Sequence, residues 1–152
     1  RNFPENWIWA QSNHFSNNNL SITASLATIP WKNTSFAGFI VGLYYKSNFY
    51  RFTTYRNAVT KEIHYDFNKF YWQLKQKDLT LELTIEKGHK AGLLYAPDKI
   101  DMVPKVHEYL DGNIYLKLYD HKGTILEDQT TSAAVEMIGD VSKLINMAGG
   151  LK

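Results

Sequence analysis

"LTLELTIE", residues 79–86, decides the fold class: Leu79, Leu81, Leu83 and Ile85 alternate with Thr80, Glu82, Thr84 and Glu86. Successive side chains of an extended chain point to opposite faces, so this spacing predicts a strand with one dry face and one wet face. The same reading carries outward in both directions. Aromatic and β-branched runs are separated by turn-forming stretches such as Asn17–Asn18–Asn19, Lys46–Ser47–Asn48, Lys87–Gly88 and His121–Lys122–Gly123. Strands are predicted at 7–15, 20–29, 36–46, 49–56, 59–65, 70–77, 79–86, 102–109, 112–120 and 123–137. Helical spacing is confined to the stretch from Gly139 to Met147, through Val141, Leu144 and Ile145. About ten consecutive antiparallel strands in an open sheet would leave two adhesive edges, so closure into a barrel or curling into a sandwich is expected, and the strand alternation favours the barrel.

The chain has 152 residues, 44% of them apolar, which is enough for one core and one domain spanning 1–152. Its 17 Lys and Arg against 15 Asp and Glu leave a net charge of +2, without a long run of like charges, which argues against nucleic acid as the main partner. With no cysteine, disulfides, thiolate zinc sites and cysteine nucleophiles are all excluded. No stretch reaches the ~18–20 apolar residues of a spanning helix. Arg1–Asn2–Phe3–Pro4 does not begin a signal peptide, so the expected location is cytoplasmic or peripheral to a membrane. Arg1 in place of an initiator Met is also compatible with a longer parent polypeptide.

A second stretch, "NWIWAQSNHF" at residues 6–15, sorts Trp7, Trp9, Gln11, Asn13 and Phe15 onto one face and Ile8, Ala10, Ser12 and His14 onto the other. A barrel that encloses a ligand needs apolar walls with a few placed polar groups, so the first face is expected to look inward, Trp7 and Trp9 as wall and Gln11 and Asn13 as polar points. In "SFAGFIVGLYY", residues 35–45, Gly38 and Gly42 share a face with Phe36, Ile40 and Tyr44 and mark either a bend or space for a ligand.

Six stretches in order, "NWIWAQSNHF", "LSITASLATIPW", "FIVGLYYKSNFYRF", "KFYWQLKQKDLTLELTIE", "LLYAP" and "TTSAAVEMIGD", resemble the C-terminal half of the tocopherol cyclase family from about Glu5 to Asp140. The resemblance implies an all-β, lipocalin-like (calycin-type) antiparallel barrel with a short C-terminal helix, one of two such halves, related in fold to carotenoid hydratases. It implies a prenylated ligand such as a prenylquinol, ring closure without an organic cofactor, and the N-terminal half or a homologous barrel as partner. Only one half is expected in this chain, so residues supplied by the other would be missing.

Closing a ring from a phenol onto a trisubstituted alkene needs a proton donor, a pocket that tolerates a tertiary cation, and exclusion of water. The 8 Phe, 4 Trp and 10 Tyr suit the second need. Glu136, in the Ala133–Ala134–Val135 run, is the candidate acid if it is desolvated; an outward carboxylate is the alternative. Trp72 in "FYWQ" is a candidate ligand wall as well as a core residue. Asp66 reads as a turn former, Glu62 and His64 as a solvated pair, and His14 as a structural histidine with no second histidine at a metal spacing. Arg51 and Arg56 flank aromatic residues in a pattern also used for single-stranded nucleic acid, which the overall charge disfavours. Trp31 reads as a lid or an anchor at a membrane surface. Two classes of function stay in play: a barrel that binds, and in the stronger form cyclises or hydrates, a prenyl lipid, and a structural half-barrel filled by its own aromatics.

Overall fold

The computed structural model describes residues 4–98 and 101–149, and their side chains outside 94–106; Arg1 lies outside the described residues. Ten strands form: β1 (Trp7–Ser12), β2 (Leu20–Trp31), β3 (Thr34–Tyr45), β4 (Asn48–Thr53), β5 (Val59–Asp66), β6 (Lys69–Gln76), β7 (Leu79–Glu86), β8 (Ala91–Asp98), β9 (Asp101–Asp120) and β10 (Gly123–Ile138). One helix, α1 (Val141–Gly149), follows them. The strand order is β4-β3-β2-β1-β10-β9-β7-β6-β5, with β8 paired to β9 off this path, and every pairing is antiparallel.

The alternation of residues 79–86 organises the core directly. Leu81 pairs across to Leu74 and Leu118, Leu83 to Trp72 and Leu116, and Ile85 to Phe70 and Ile114, so three rows of apolar side chains run across β6, β7 and β9. All nine are buried. On the opposite surface of the same strands, Gln73 and Tyr119 both donate to Glu82, each at 3.2 Å, and Tyr115 donates to Glu127 at 2.9 Å. The wet face is a tyrosine–carboxylate lattice.

The antiparallel all-β class is as expected, but the sheet does not close by hydrogen bonds. β4 and β5, its two ends, are consecutive in the chain and joined through a 3₁₀ turn, Thr54–Arg56, where an unbroken strand 49–56 was predicted. Packing fills the seam instead. The Phe39 ring of β3 meets the Trp72 ring of β6 edge-on, with centroids 5.3 Å apart, and α1 lies against β5, β3 and β1. The helix starts where Asp140 accepts a hydrogen bond from the Lys143 N–H at 3.0 Å, a side-chain cap for the first turn. Asn6 fastens this corner: its side-chain oxygen accepts from the Asp140 N–H at 2.6 Å and its carbonyl from the Thr28 N–H at 3.0 Å. Gly139 has a φ of +78°, and a Cβ there would stand 2.3 Å from the Glu5 carbonyl, so only glycine fits the corner.

Two other differences from the predicted elements have local causes. The predicted strands 102–109 and 112–120 are one strand, β9, carried through at Gly112, where an added Cβ would come within 2.5 Å of Val135. The stretch "LLYAP", given no strand by alternation, lies in β8, which pairs along the first half of β9. The β3–β4 connection has positive φ at both Lys46 (47°) and Ser47 (64°), the tight hairpin geometry that matches strand twist.

Candidate functional site

β1 faces the opposite way from expectation. Ile8, Ala10 and Ser12 enter the core, while Trp7 and Trp9 are half-buried on the outer surface and Gln11 and Asn13 are exposed. Register explains the reversal. Ile8, Ala10 and Ser12 pair with the inward Leu26, Ala24 and Ile22 of β2, and Ile8 and Ala10 with the inward Met137 and Val135 of β10. Strands paired on both sides must share their neighbours' dry face. The interior is also occupied: Trp72, Phe70 and Phe52 are at most 1% exposed. Trp72, considered for the ligand wall, is held in that core by its indole N–H on Thr60 Oγ1 at 3.0 Å and by the rings of Phe39 and Phe70. Phe15 is buried as expected, because β1 ends at Ser12 and the chain changes direction before it.

Glu136 goes outward together with the indoles. It stands opposite Trp9 in the β1–β10 register, and the Trp7 indole N–H donates to its carboxylate at 2.9 Å. Burial pushes the Glu136 carboxyl above the ordinary glutamate value and the charge of Glu108 pushes the same way, while the Trp7 hydrogen bond opposes both. Glu136 is therefore half-buried on the outside of the sheet rather than inside it, where the candidate acid was expected.

The register continues this surface across the sheet. Trp7 stands beside Ala27 and then Gly38, and Trp9 beside Ser25 and then Ile40. Over these small residues lies a groove of about 450 Å³, with Ser25, Ala27 and Gly38 beneath it and Ile29, Phe36, Ile40 and Tyr55 around it. Gly38 makes the shape possible: a Cβ there would be 2.8 Å from Ile29, so the glycine lets neighbouring side chains lie low over the strand. At Gly42 the Phe49 ring lies over the backbone in the same way. Both glycines serve the outer surface, and only Gly38 borders the groove. Phe36 and Ile40 stand on the Gly38 face already named as possible ligand space, whereas Ser25, Ala27 and Tyr55 were not recognised from sequence. The signal that could have found them is the pairing of small residues in adjacent strands, which becomes visible only once the β2–β3 register is known.

The remaining candidates lie elsewhere. Gln11, Asn13 and His14 border a separate shallow groove of about 340 Å³ with Leu110. His14 is tied through its backbone, donating to Ser12 Oγ at 3.1 Å and accepting from Thr130 Oγ1 at 2.6 Å. Glu62 and His64 are exposed and 2.7 Å apart, with the imidazole stacked on Tyr71. Asp66 closes β5 just before Phe67, which has a positive φ of 54°, so it sits at a turn. Among the described residues, Asp78, Asp120 and His121 bring three potential metal donors within 4.8 Å at two exposed turns, by the opposite end of β10 from Glu136.

Fold and site together define an antiparallel β protein whose exterior carries a half-buried carboxyl and, across β1 from it, an apolar groove. Within that class, the chain belongs to the tocopherol cyclase-like family, whose family model matches residues 1–139. The match takes in all ten strands and ends before α1. No curated protein and no solved structure matches the chain.

Proposed function

We propose that this chain binds an extended, prenyl-type molecule along the outer groove, and that Glu136 donates a proton when the ligand carries a trisubstituted alkene. The observation that carries this reading is a carboxyl with a raised pKa, held by an indole N–H, on the same outer surface that carries an apolar groove over β2 and β3, across β1 from it. The proton of the Glu136 carboxyl goes to one alkene carbon and leaves a tertiary cation on the other. A phenol oxygen of the ligand then forms the new C–O bond, and its proton returns to the Glu136 carboxylate. No atom is gained or lost, so the reaction is an isomerisation. Trp7 and Trp9 are the aromatic groups that the register puts beside the acid, and a cation over such a ring gains about 0.5–2 kcal/mol. Water must be kept from the cation, and an outer groove needs a cover for that; the second half implied by the family resemblance is the partner proposed for this role.

The filled interior favours a second reading, a non-catalytic barrel that binds the same ligand or serves as a scaffold. One experiment separates the readings. The protein is titrated with a prenylated hydroquinone while tryptophan fluorescence is followed, and chromanol formation is measured across pH, for the wild type and Glu136→Gln. The expected result is binding in both, within about tenfold in Kd (~1.4 kcal/mol), with turnover only in the wild type and falling as pH rises and the carboxyl loses its proton. Binding without turnover in either protein supports the non-catalytic reading. Unchanged turnover in Glu136→Gln removes the acid from the mechanism, and absence of binding in both overturns the ligand assignment.

A further inference from the structure

Charge is segregated along this chain in a way the net value of +2 conceals. Between Glu5 and Glu62 there is no Asp or Glu, while the same interval holds Lys32, Lys46, Arg51, Arg56 and Lys61. Those five are exposed, and among the described residues none forms an ion pair with a carboxylate. The remainder of the chain has the other 12 of the 17 basic residues against all 15 acidic ones, so it is net negative. Two carboxylates on adjoining elements are already engaged: Asp140 accepts from the Lys143 N–H and Glu62 pairs with His64.

The cationic segment is also where large apolar side chains point to solvent. Ile40 and Tyr44 of β3, Phe49 of β4 and Tyr55 of the 3₁₀ turn are 46–70% exposed, and Trp31, beside Lys32, is 60% exposed. The outer alternation of β3 sets Ile40 and Tyr44 on one surface, and the β3–β4 register places Phe49 against Tyr44 and Arg51 against Gly42 on that surface. The Arg51 guanidinium lies 4.8 Å from the centre of the Phe49 ring, and the Lys46 ammonium 5.2 Å from that of Tyr45. Aromatic rings among unneutralised cations fit the boundary between lipid headgroups and acyl chains, where rings enter the apolar layer and basic groups meet phosphate.

We propose that the outer surface of β3, β4 and the 3₁₀ turn is a docking face for an anionic lipid bilayer. Charge complementarity selects this occupant. A second copy brought up by a two-fold axis would set Lys46, Arg51 and Arg56 against themselves, which is repulsive. The net-negative remainder is repelled by the same bilayer, which orients the molecule with this edge down. The proposal goes beyond the ligand reading and stands whether or not Glu136 transfers a proton. The groove by Ile40 and Tyr55 adjoins the docking face, so a prenyl lipid would have a short path from the bilayer.

The test is flotation of the protein with vesicles of phosphatidylcholine alone and of equimolar phosphatidylcholine and phosphatidylglycerol, at low and high salt. Arg51→Glu, Lys46→Glu and Phe49→Ser are compared with Lys117→Glu on the opposite wall, and circular dichroism confirms that each variant is folded. The expected result is binding to the anionic vesicles only, weakened by salt, reduced roughly tenfold or more by either charge reversal, reduced by Phe49→Ser, and unchanged by Lys117→Glu. Absence of binding to anionic vesicles, or equal loss in Lys117→Glu, overturns the proposal. So does a salt-sensitive complex with single-stranded DNA that resists competition by the vesicles, or a dimer in solution that Phe49→Ser dissociates.

Discussion

Asp128 is almost fully covered, yet four donors keep its carboxylate charged: Ser16 Oγ at 2.5 Å, the Asn17 side chain at 2.7 Å, the Asn17 N–H at 3.0 Å and the Gln129 N–H at 2.7 Å. Burial pushes its pKa up, and these hydrogen bonds outweigh burial and bring it down to about 2. A carboxylate depressed in the folded state stabilises above the unfolded pKa and loses that contribution as pH falls through the folded one. Asp128→Asn is therefore expected to lower stability by about 2 kcal/mol at pH 7, with the gap to wild type closing between about pH 4 and pH 2, as measured by urea unfolding across that range. Glu136 is the converse case. Its burial is answered by one indole donor and aggravated by Glu108, so its pKa moves up. Two carboxyls of one strand are thus set apart by their donors, one held charged at the turn by Asn17 and one with its pKa raised.

Of three irregularities in the β9–β10 pairing, the one between Thr130 and Ala133 decides which way Glu136 points. Leu126, Asp128 and Thr130 are buried at even positions, and Ala133, Val135 and Met137 at odd ones, because the pairing with β9 shifts register between Thr130 and Ala133. Unbroken alternation from Leu126 would carry Glu136 into the core. A bulge leaves no clear mark on hydrophobic pattern, so the acid was legible as a residue and its face was not. The β1 error has a different origin: the expectation of a ligand wall turns the indoles inward, and Phe15, grouped with them by an alternation carried past the strand's end at Ser12, is the one member of that face that is buried. Residues 79–86 were legible because their neighbours β6 and β9 follow the same alternation without a shift at those pairs. The new assignment of β1 has its own test. Ala10→Phe is expected to overpack the core and cost about 1–3 kcal/mol, while Trp9→Phe on the outer surface changes stability by less, as read from thermal melts of both variants. Equal or reversed losses would put the indoles back inside.

At the scale of the molecule, strand order follows from local hairpins for most of the chain, and from the β7–β9 crossover past β8 and one distant pairing for the rest. Antiparallel neighbours β2 through β4 and β5 through β7 join by short turns, which is why the all-β class could be read from turn chemistry and alternation. The seam between β4 and β5 could not, since it depends on Phe39, Trp72 and α1 meeting from separate parts of the chain. The distant pairing is that of β1 with β10, which joins Gln11 to Ala134 and Trp7 to Ile138. On a ribosome adding about 5–20 residues per second, β1 waits on the order of ten seconds for that partner. During that interval it is a provisional sheet edge bearing two indoles, the one moment when this surface can be captured by a holding chaperone or by another nascent chain. Pulsed hydrogen exchange during refolding is expected to protect the β6 and β7 amides before those of β1 that bond to β10. Simultaneous protection would mean that the ends of the chain find each other as early as the hairpins do, and that no such interval of vulnerability exists.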